Sequence, residues 1–333
     1  MSVADTEPKV NQKYSRLFVM GIALFSIICF IIMNSRYDSL SRYPYKDQRS
    51  RQLIREYLNS EEIEYIIEYS IEPNLFISFI QADGFNIYHA ADYKRLSEVL
   101  WNEPPQRIVD MIEETYETIS TETLIELLQS YSYDDLKTFM SGNDPYGKGS
   151  ELIMHASSID AWVDNTHTVS TYTPKYLQAL RSEIPSNNTI VVSEEMQDPL
   201  YNMCLDINSS FKSTQGCGGL QVEQGYISYD KMLEYSDPDE NFIPGHNEHQ
   251  LGLAIDFGVP GVLHDDFHLT EQSQWLQENA WKYGFVRTYT ESDVEITGQK
   301  ASATHYRYVG SELARMIHES GSTFAKYAMI AMK

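Results

Sequence analysis

The sequence predicts an α+β protein carried on a single membrane-crossing helix, with a helical region between the anchor and the α+β body. Three observations predict it. An uncharged apolar run lies near the N-terminus, amphipathic helical periodicity runs through residues 51–142, and after residue 150 short β-prone runs appear among helices. At 333 residues the chain can hold two compact domains and a linker. Its 42% hydrophobic and 22% charged content is that of a folded protein rather than a disordered one.

Charge and cysteine content exclude whole classes of function. Lys plus Arg number 25 against 48 for Asp plus Glu, a formal net charge of -23. Nucleic-acid binding rests on neutralising phosphates with basic side chains, so this balance argues against it. It also argues against a body that grips an anionic bilayer along its surface. Three cysteines, Cys29, Cys204 and Cys217, are too few for a disulfide-built fold or a cysteine-only zinc site. Cys204 and Cys217 could pair in an oxidising compartment, but two free thiols is the reading the sequence alone favours.

The first element is residues 17–33, LFVMGIALFSIICFIIM, bracketed by Arg16 and Arg36. As a helix it spans roughly 25 Å, near the lower limit for crossing a bilayer. The following MNSRYDS lacks the small-residue cleavage pattern of a signal peptide, and Ile28 before Cys29 does not suit lipoprotein processing. The expected plan is a cytoplasmic tail at 1–16, an anchor in the lipid bilayer at 17–33 and a linker at 34–50. Lys9, Lys13 and Arg16 precede the span, while Arg36, Arg42, Lys46, Arg49, Arg51 and Arg55 follow it. Taken alone, that bias would keep the bulk of the chain in the cytoplasm, although long domains translocate despite flanking charge.

Residues 51–142 read as one helical domain. Residues 53–67 (LIREYLNSEEIEYII) and 127–140 (LLQSYSYDDLKTFM) look like two degenerate helix-turn-helix units. Ser132 with Asp135 suits an N-cap, as does Ser60 before Glu61 and Glu62. Pro104–Pro105 breaks the chain ahead of a helix over 107–116. This region is a spacer or a peptide-binding module. SGNDPYGKGS, with its Gly, Pro, Asn and Ser, reads as the boundary, giving a linker at 143–150 and a second domain at 151–333.

The chemistry concentrates in PGHNEHQLGLAIDFG, residues 244–258. His249 and Asp256 stand seven apart, and Gly252 and Ala254 between them permit close backbone approach. Imidazole plus carboxylate is a normal zinc shell once a third ligand joins, though a lone His and Asp serve as well as ordinary loop residues. THYRYVG, residues 304–310, supplies His305 in an aromatic, β-prone run.

These blocks resemble a family. HNEHQLGLAIDF is similar to the S-x-H-x-x-G-x-A-x-D signature of the bacterial zinc D-Ala-D-Ala carboxypeptidases, the VanY-like metallopeptidases. WLQENAWKYGFV (275–286), ITG (296–298) and HYRYVG match its C-terminal signature in order and spacing. YTPKYL (172–177) and GYISY (225–229) resemble two upstream blocks. The resemblance covers about residues 160–325. It implies a small antiparallel sheet with helices, a Zn2+ ion on His249, Asp256 and His305, and a cell-wall substrate, the D-Ala-D-Ala end of a peptidoglycan stem peptide. It places Tyr226, Ile227, Ser228 and Asn247 on the substrate side.

The departures from the pattern are specific. In the family a Glu lies three residues before the last His and acts as general base. That position is Ser302, and the spacing from ITG to His305 leaves no room to shift it. A serine hydroxyl cannot take up a proton at neutral pH as a carboxylate does. The family's Trp before the last His is Thr304, its carboxylate-binding Arg is Ile227, and the Ser of S-x-H is Asn247. Glu291, Asp293 and Glu295, in an expected hairpin, are candidates for a substitute base, and Arg287 and Arg307 for a substitute cation. His246 and His268 read as loop histidines.

Three functions follow from this pattern. The first is an anchored, extracytoplasmic member of the carboxypeptidase family that binds stem peptides with weak or no hydrolysis, a pseudoenzyme. The second is an active zinc peptidase (a hydrolase) of altered specificity with a substitute base. The third is a structural or interaction protein working through residues 51–142. The implied cell-wall substrate favours the C-terminal domains outside, against the simple charge rule.

Overall fold

The computed structural model describes residues 12–35, 38–211, 216–234 and 243–331; most of the expected cytoplasmic tail, and Arg36, lie outside them. The chain divides into two compact units, 1–118 and 119–333.

The first unit is helical. α1 (Gln12–Ser35) contains the one helix window among the described residues, Arg16–Met33, that is long and apolar enough to cross a membrane. α2 (Gln48–Tyr57) is capped by Asp47, which accepts from the Ser50 amide. α3 (Ser60–Glu68) starts from a capping box in which Asn59 and Glu62 satisfy each other's backbone amides. The cap is therefore Asn59, one residue ahead of the Ser60 suggested by the sequence. α4 (Ala90–Val99) and α5 (Pro105–Thr115) complete the unit, and Pro105 stands at the first helical position, where its missing N–H costs nothing. Leu40, Tyr43, Ile54, Ile66 and Phe76 close its main core.

The second unit begins earlier than the sequence suggested. α6 (Thr121–Ser130) and α7 (Tyr133–Met140, capped by Ser132 and Asp135) belong to it. The Tyr131 hydroxyl donates to the Ile153 carbonyl at 2.8 Å, and Thr171 Oγ1 donates to Asp135 at 2.6 Å. Residues 143–150 are no free linker here, because Asp144 is buried and accepts from Ser170 Oγ at 2.6 Å and the Tyr229 hydroxyl at 2.7 Å.

Two small strand pairs follow: β1 (Glu151–Leu152) with β2 (His167–Thr168), parallel, and β3 (Leu177–Ala179) with β4 (Val191–Ser193), antiparallel. Next come α8 (Gln197–Phe211), β5 (Gln221–Gln224), α9 (Tyr229–Leu233), β6 (Ala254–Gly258) and α10 (Glu271–Asn279). β7 (Phe285–Val286), α11 (Val294–Thr297), β8 (His305–Tyr308), α12 (Ser311–Ser320) and α13 (Phe324–Ala331) end the described chain. The central sheet has the order β5-β6-β8-β7 and is antiparallel throughout.

Strand alternation sorts its side chains. Ile255, Phe257 and Tyr306 enter the core shared with Leu200, Met203 and Ile207 of α8. Their neighbours Asp256, His305 and Arg307 therefore leave the sheet on the other face. Cys204 of α8 is bonded to Cys217 in a disulfide, against the two free thiols favoured by the sequence. Both cysteines are buried in the same core, a proximity that their spacing of 13 residues could not reveal.

Candidate metal centre

The site grows from that second, largely buried sheet face. Asp256 of β6 and His305 of β8 are cross-strand partners, so their side chains emerge side by side. His249 arrives from a short 3-10 turn, Glu248–Leu251, closed by Gly252 in the left-handed conformation at φ 71°. A side chain at Gly252 would also meet Leu177, so this turn requires glycine twice over. It lets the chain run from His249 straight into β6.

The three side chains converge. His249 Nε2 lies 3.3 Å from Asp256 Oδ2, and His305 Nδ1 lies 3.0 Å from Asp256 Oδ1. Ligands of a tetrahedral zinc stand about 3.4 Å apart, which these spacings approach. Among the described residues this is the one group of three such donors gathered within 4.8 Å.

The far nitrogens test the fit further. His249 Nδ1 faces the Gly225 carbonyl at 2.8 Å, and His305 Nε2 faces Glu248 Oε2 at 2.9 Å. Each far nitrogen meets an acceptor and so carries the proton, leaving His249 Nε2 and His305 Nδ1 with lone pairs toward the cluster. The donor set fits a zinc ion.

Electrostatics point the same way. Burial pushes the Asp256 carboxyl up, but the charge and hydrogen bond of His249 and the hydrogen bond of His305 hold it well below its ordinary value. Burial pulls His305 down, yet hydrogen bonds to Asp256 and Glu248 outweigh it and raise the imidazole to about 9. Glu248 is likewise held low against its burial, by His305 and the Arg307 charge. Without a metal, the ring raised to about 9 holds a second proton between Asp256 and Glu248, and a cation held by the trio would displace that proton and take its place.

The substrate-side residues separate. Ile227 is buried and its N–H donates to the His249 carbonyl at 3.3 Å, while Asn247 Oδ1 accepts from the His249 amide at 2.8 Å. Both lie against the ligand. Ser228 is instead the N-cap of α9, accepting from the Lys231 amide at 3.1 Å. Tyr226 is half-buried, its amide bonded to the Val191 carbonyl at 2.7 Å.

At Ser302 the hydroxyl lies 2.9 Å from Thr304 Oγ1, and Thr304 Oγ1 lies 2.8 Å from His264 Nε2. The Ser302 amide donates to the carbonyl of Tyr289, whose ring stacks on His305 at 4.3 Å.

Other expectations are corrected. The acids at 291–295 form no hairpin: Asp293 precedes the short helix α11 and is held by Thr290 and Thr323, while Glu291 and Glu295 are exposed. Arg287 Nε donates to the Ser302 carbonyl at 2.7 Å. Arg307 is fully buried and donates to the carbonyls of Ile159 and Ala161. His246 is a loop residue as expected, but a buried one lying between the carbonyls of Asp164 and Tyr146, whereas His268 is exposed and sits in a 3-10 turn, facing the Asp265 carbonyl.

Sequence reasoning missed Glu248, Thr288, Tyr289 and His264. Glu248 is adjacent to His249 and was the one that could have been suspected.

Residues 202–311 match the family model VanY, D-alanyl-D-alanine carboxypeptidase. A D-alanyl-D-alanine carboxypeptidase of Enterococcus faecalis is 42% identical over 87 residues, 26% of this chain and 31% of that protein. The chain thus spans less than a third of that relative's length. Among solved structures, the LdcB LD-carboxypeptidase is 28% identical, with 54% of this chain and 89% of that chain covered at a TM-score of 0.48. A vancomycin-resistance D,D-pentapeptidase VanY variant in complex with Zn(II) is 26% identical, with 51% and 98% covered at a TM-score of 0.40.

Proposed function

Since residues 202–311 form a domain of the VanY D-alanyl-D-alanine carboxypeptidase family, we propose that the chain is an anchored, extracytoplasmic zinc protein that binds the D-Ala-D-Ala end of peptidoglycan stem peptides with weak or no hydrolysis. One observation carries this reading: the donor trio His249, Asp256 and His305 is gathered intact while a serine, already bonded to Thr304, stands at the family's base position. Three features support the location. α1 has the length and composition of an anchor, the Cys204–Cys217 disulfide suits an oxidising compartment, and the family's substrate lies in the cell wall.

Zinc, when bound, supplies Lewis acidity toward a carbonyl oxygen. The rest falls to the chain. His249 and His305 each present one nitrogen, oriented by Gly225 and Glu248, and Asp256 presents its carboxylate. Hydrolysis also needs a group that takes a proton from water and returns it to the leaving amine. The Ser302 hydroxyl does not perform that exchange at neutral pH. Ile227 offers an alkyl chain where a guanidinium would form two hydrogen bonds to a terminal carboxylate. The site therefore favours retention over turnover.

The test is release of D-Ala from a D-Ala-D-Ala peptide with zinc present. The parent should release little, Ser302→Glu alone little more, and Ser302→Glu with Ile227→Arg should exceed the sum of the single effects. Loss of a general acid–base group costs on the order of 10²–10⁴-fold, which sets the scale of recovery. Parent turnover matching that of active relatives would sink the reading. A second reading, an active peptidase with a substitute base, is favoured by the hydrogen-bonded run from Ser302 through Thr304 to His264. It predicts a working parent whose activity collapses in His264→Ala.

A further inference from the structure

We propose that Glu248 is a positioning residue that fixes which nitrogen His305 offers to the metal, and that Arg307 holds Glu248 in that place; the inference rests on the zinc reading of the centre. An imidazole turned half a revolution about its Cβ–Cγ bond puts Cδ2 where Nδ1 stood and Cε1 where Nε2 stood, so the cluster loses its nitrogen donor, and cross-strand pairing with Asp256 does not forbid that turn. Glu248 does. Its Oε2 lies 2.9 Å from His305 Nε2 and also accepts from Thr288 Oγ1 at 2.7 Å. The Tyr289 ring lies nearly parallel to the imidazole, 4.3 Å away and tilted by 20°, and closes one face of it.

A carboxylate at 0% exposure is costly without a counter-charge. Arg307, also at 0% exposure, supplies it, with Nη1 3.8 Å from Glu248 Oε1. Arg307 follows His305 by two residues on β8, so alternation sends both side chains to one face. Its guanidinium is fixed by the carbonyls of Ile159 and Ala161 and cannot swing away. The result is a carboxylate–imidazole–metal line built on a buried ion pair, an arrangement that fixes the ligand and raises its basicity.

The experiment measures zinc affinity of the full chain in detergent by competition with a chromophoric chelator. Glu248→Leu combined with Arg307→Leu removes both charges and leaves none orphaned; affinity should fall about 10–100-fold. Glu248→Gln combined with Arg307→Leu restores an acceptor for His305 Nε2–H, and most of the affinity should return. A role limited to pairing with Arg307 predicts that both double variants behave alike. That outcome, or a leucine double variant binding as the parent does, overturns the proposal. Should the doubles fail to fold, the zinc-loaded parent decides by NMR: a slowly exchanging His305 Nε2–H supports the proposal and a proton on Nδ1 refutes it. A parent that binds no zinc refutes the zinc reading itself, a result distinct from either.

Discussion

Asp144 is exposed by only 2% and gathers hydrogen bonds from Ser170, Tyr229 and the Tyr146 amide. Burial pushes its carboxyl up, but those donors outweigh burial and hold it below its ordinary 3.8. A carboxyl lowered in the folded state stabilises above its unfolded value, and that stability is lost as pH falls through the folded value. Asp144→Ala should therefore cost about 2–3 kcal/mol at neutral pH, with the gap from the parent narrowing below about pH 4. Urea titrations at several pH values measure it, and a gap independent of pH would contradict the assignment. The composition of residues 143–150 hid this role, because the partners Ser170 and Tyr229 lie 26 and 85 residues onward. The same limit applies at the candidate centre. His249, Asp256 and His305 were legible because their motifs keep the spacing of a recognisable family. Glu248 was not, since what it does depends on a partner 57 residues away.

Among the elements, β8 was legible only as an aromatic, β-prone run, and the alternation of β6 and β8 that carries the site comes from the structure. Ile255 and Phe257 point one way and Asp256 the other, as period two requires. Helix α7 was legible through its Ser132 cap, whereas α3 was misread by one residue because Asn59 and Ser60 are both good caps. The short helix α11 gave no readable period in four residues. Helix α8 is held by packing and by its disulfide, and the second could not be deduced from spacing. Cys204→Ala with Cys217→Ala frees a 13-residue separation, and the double variant should lose about 3 kcal/mol. Denaturant unfolding of zinc-loaded parent and variant checks this. Equal midpoints would mean that packing around α8 already fixes the turn.

For the whole molecule, the apolar span and the chemistry of the body disagree about orientation. Basic residues after the span favour the inside, while the disulfide and the family's cell-wall substrate favour the outside. The outward arrangement predicts that the chain sediments with membranes and that protease added to wall-stripped cells removes the region after 118. Protection of that region in intact cells, with digestion only after lysis, would reverse the assignment. Net charge of -23 bears on solubility and partner class but not on this choice. The division of the chain at 118 was not legible, because α6 and α7 resemble the preceding helices in pattern and differ only in what they pack against.

The central claim is a metal centre kept whole in a site whose base position holds serine, and zinc content tests it most directly. After dialysis against free zinc, the parent should hold about one ion per chain, as a single His-Asp-His cluster requires, and His305→Ala should hold none. A parent without zinc, or a His305→Ala variant that retains it, would contradict the account.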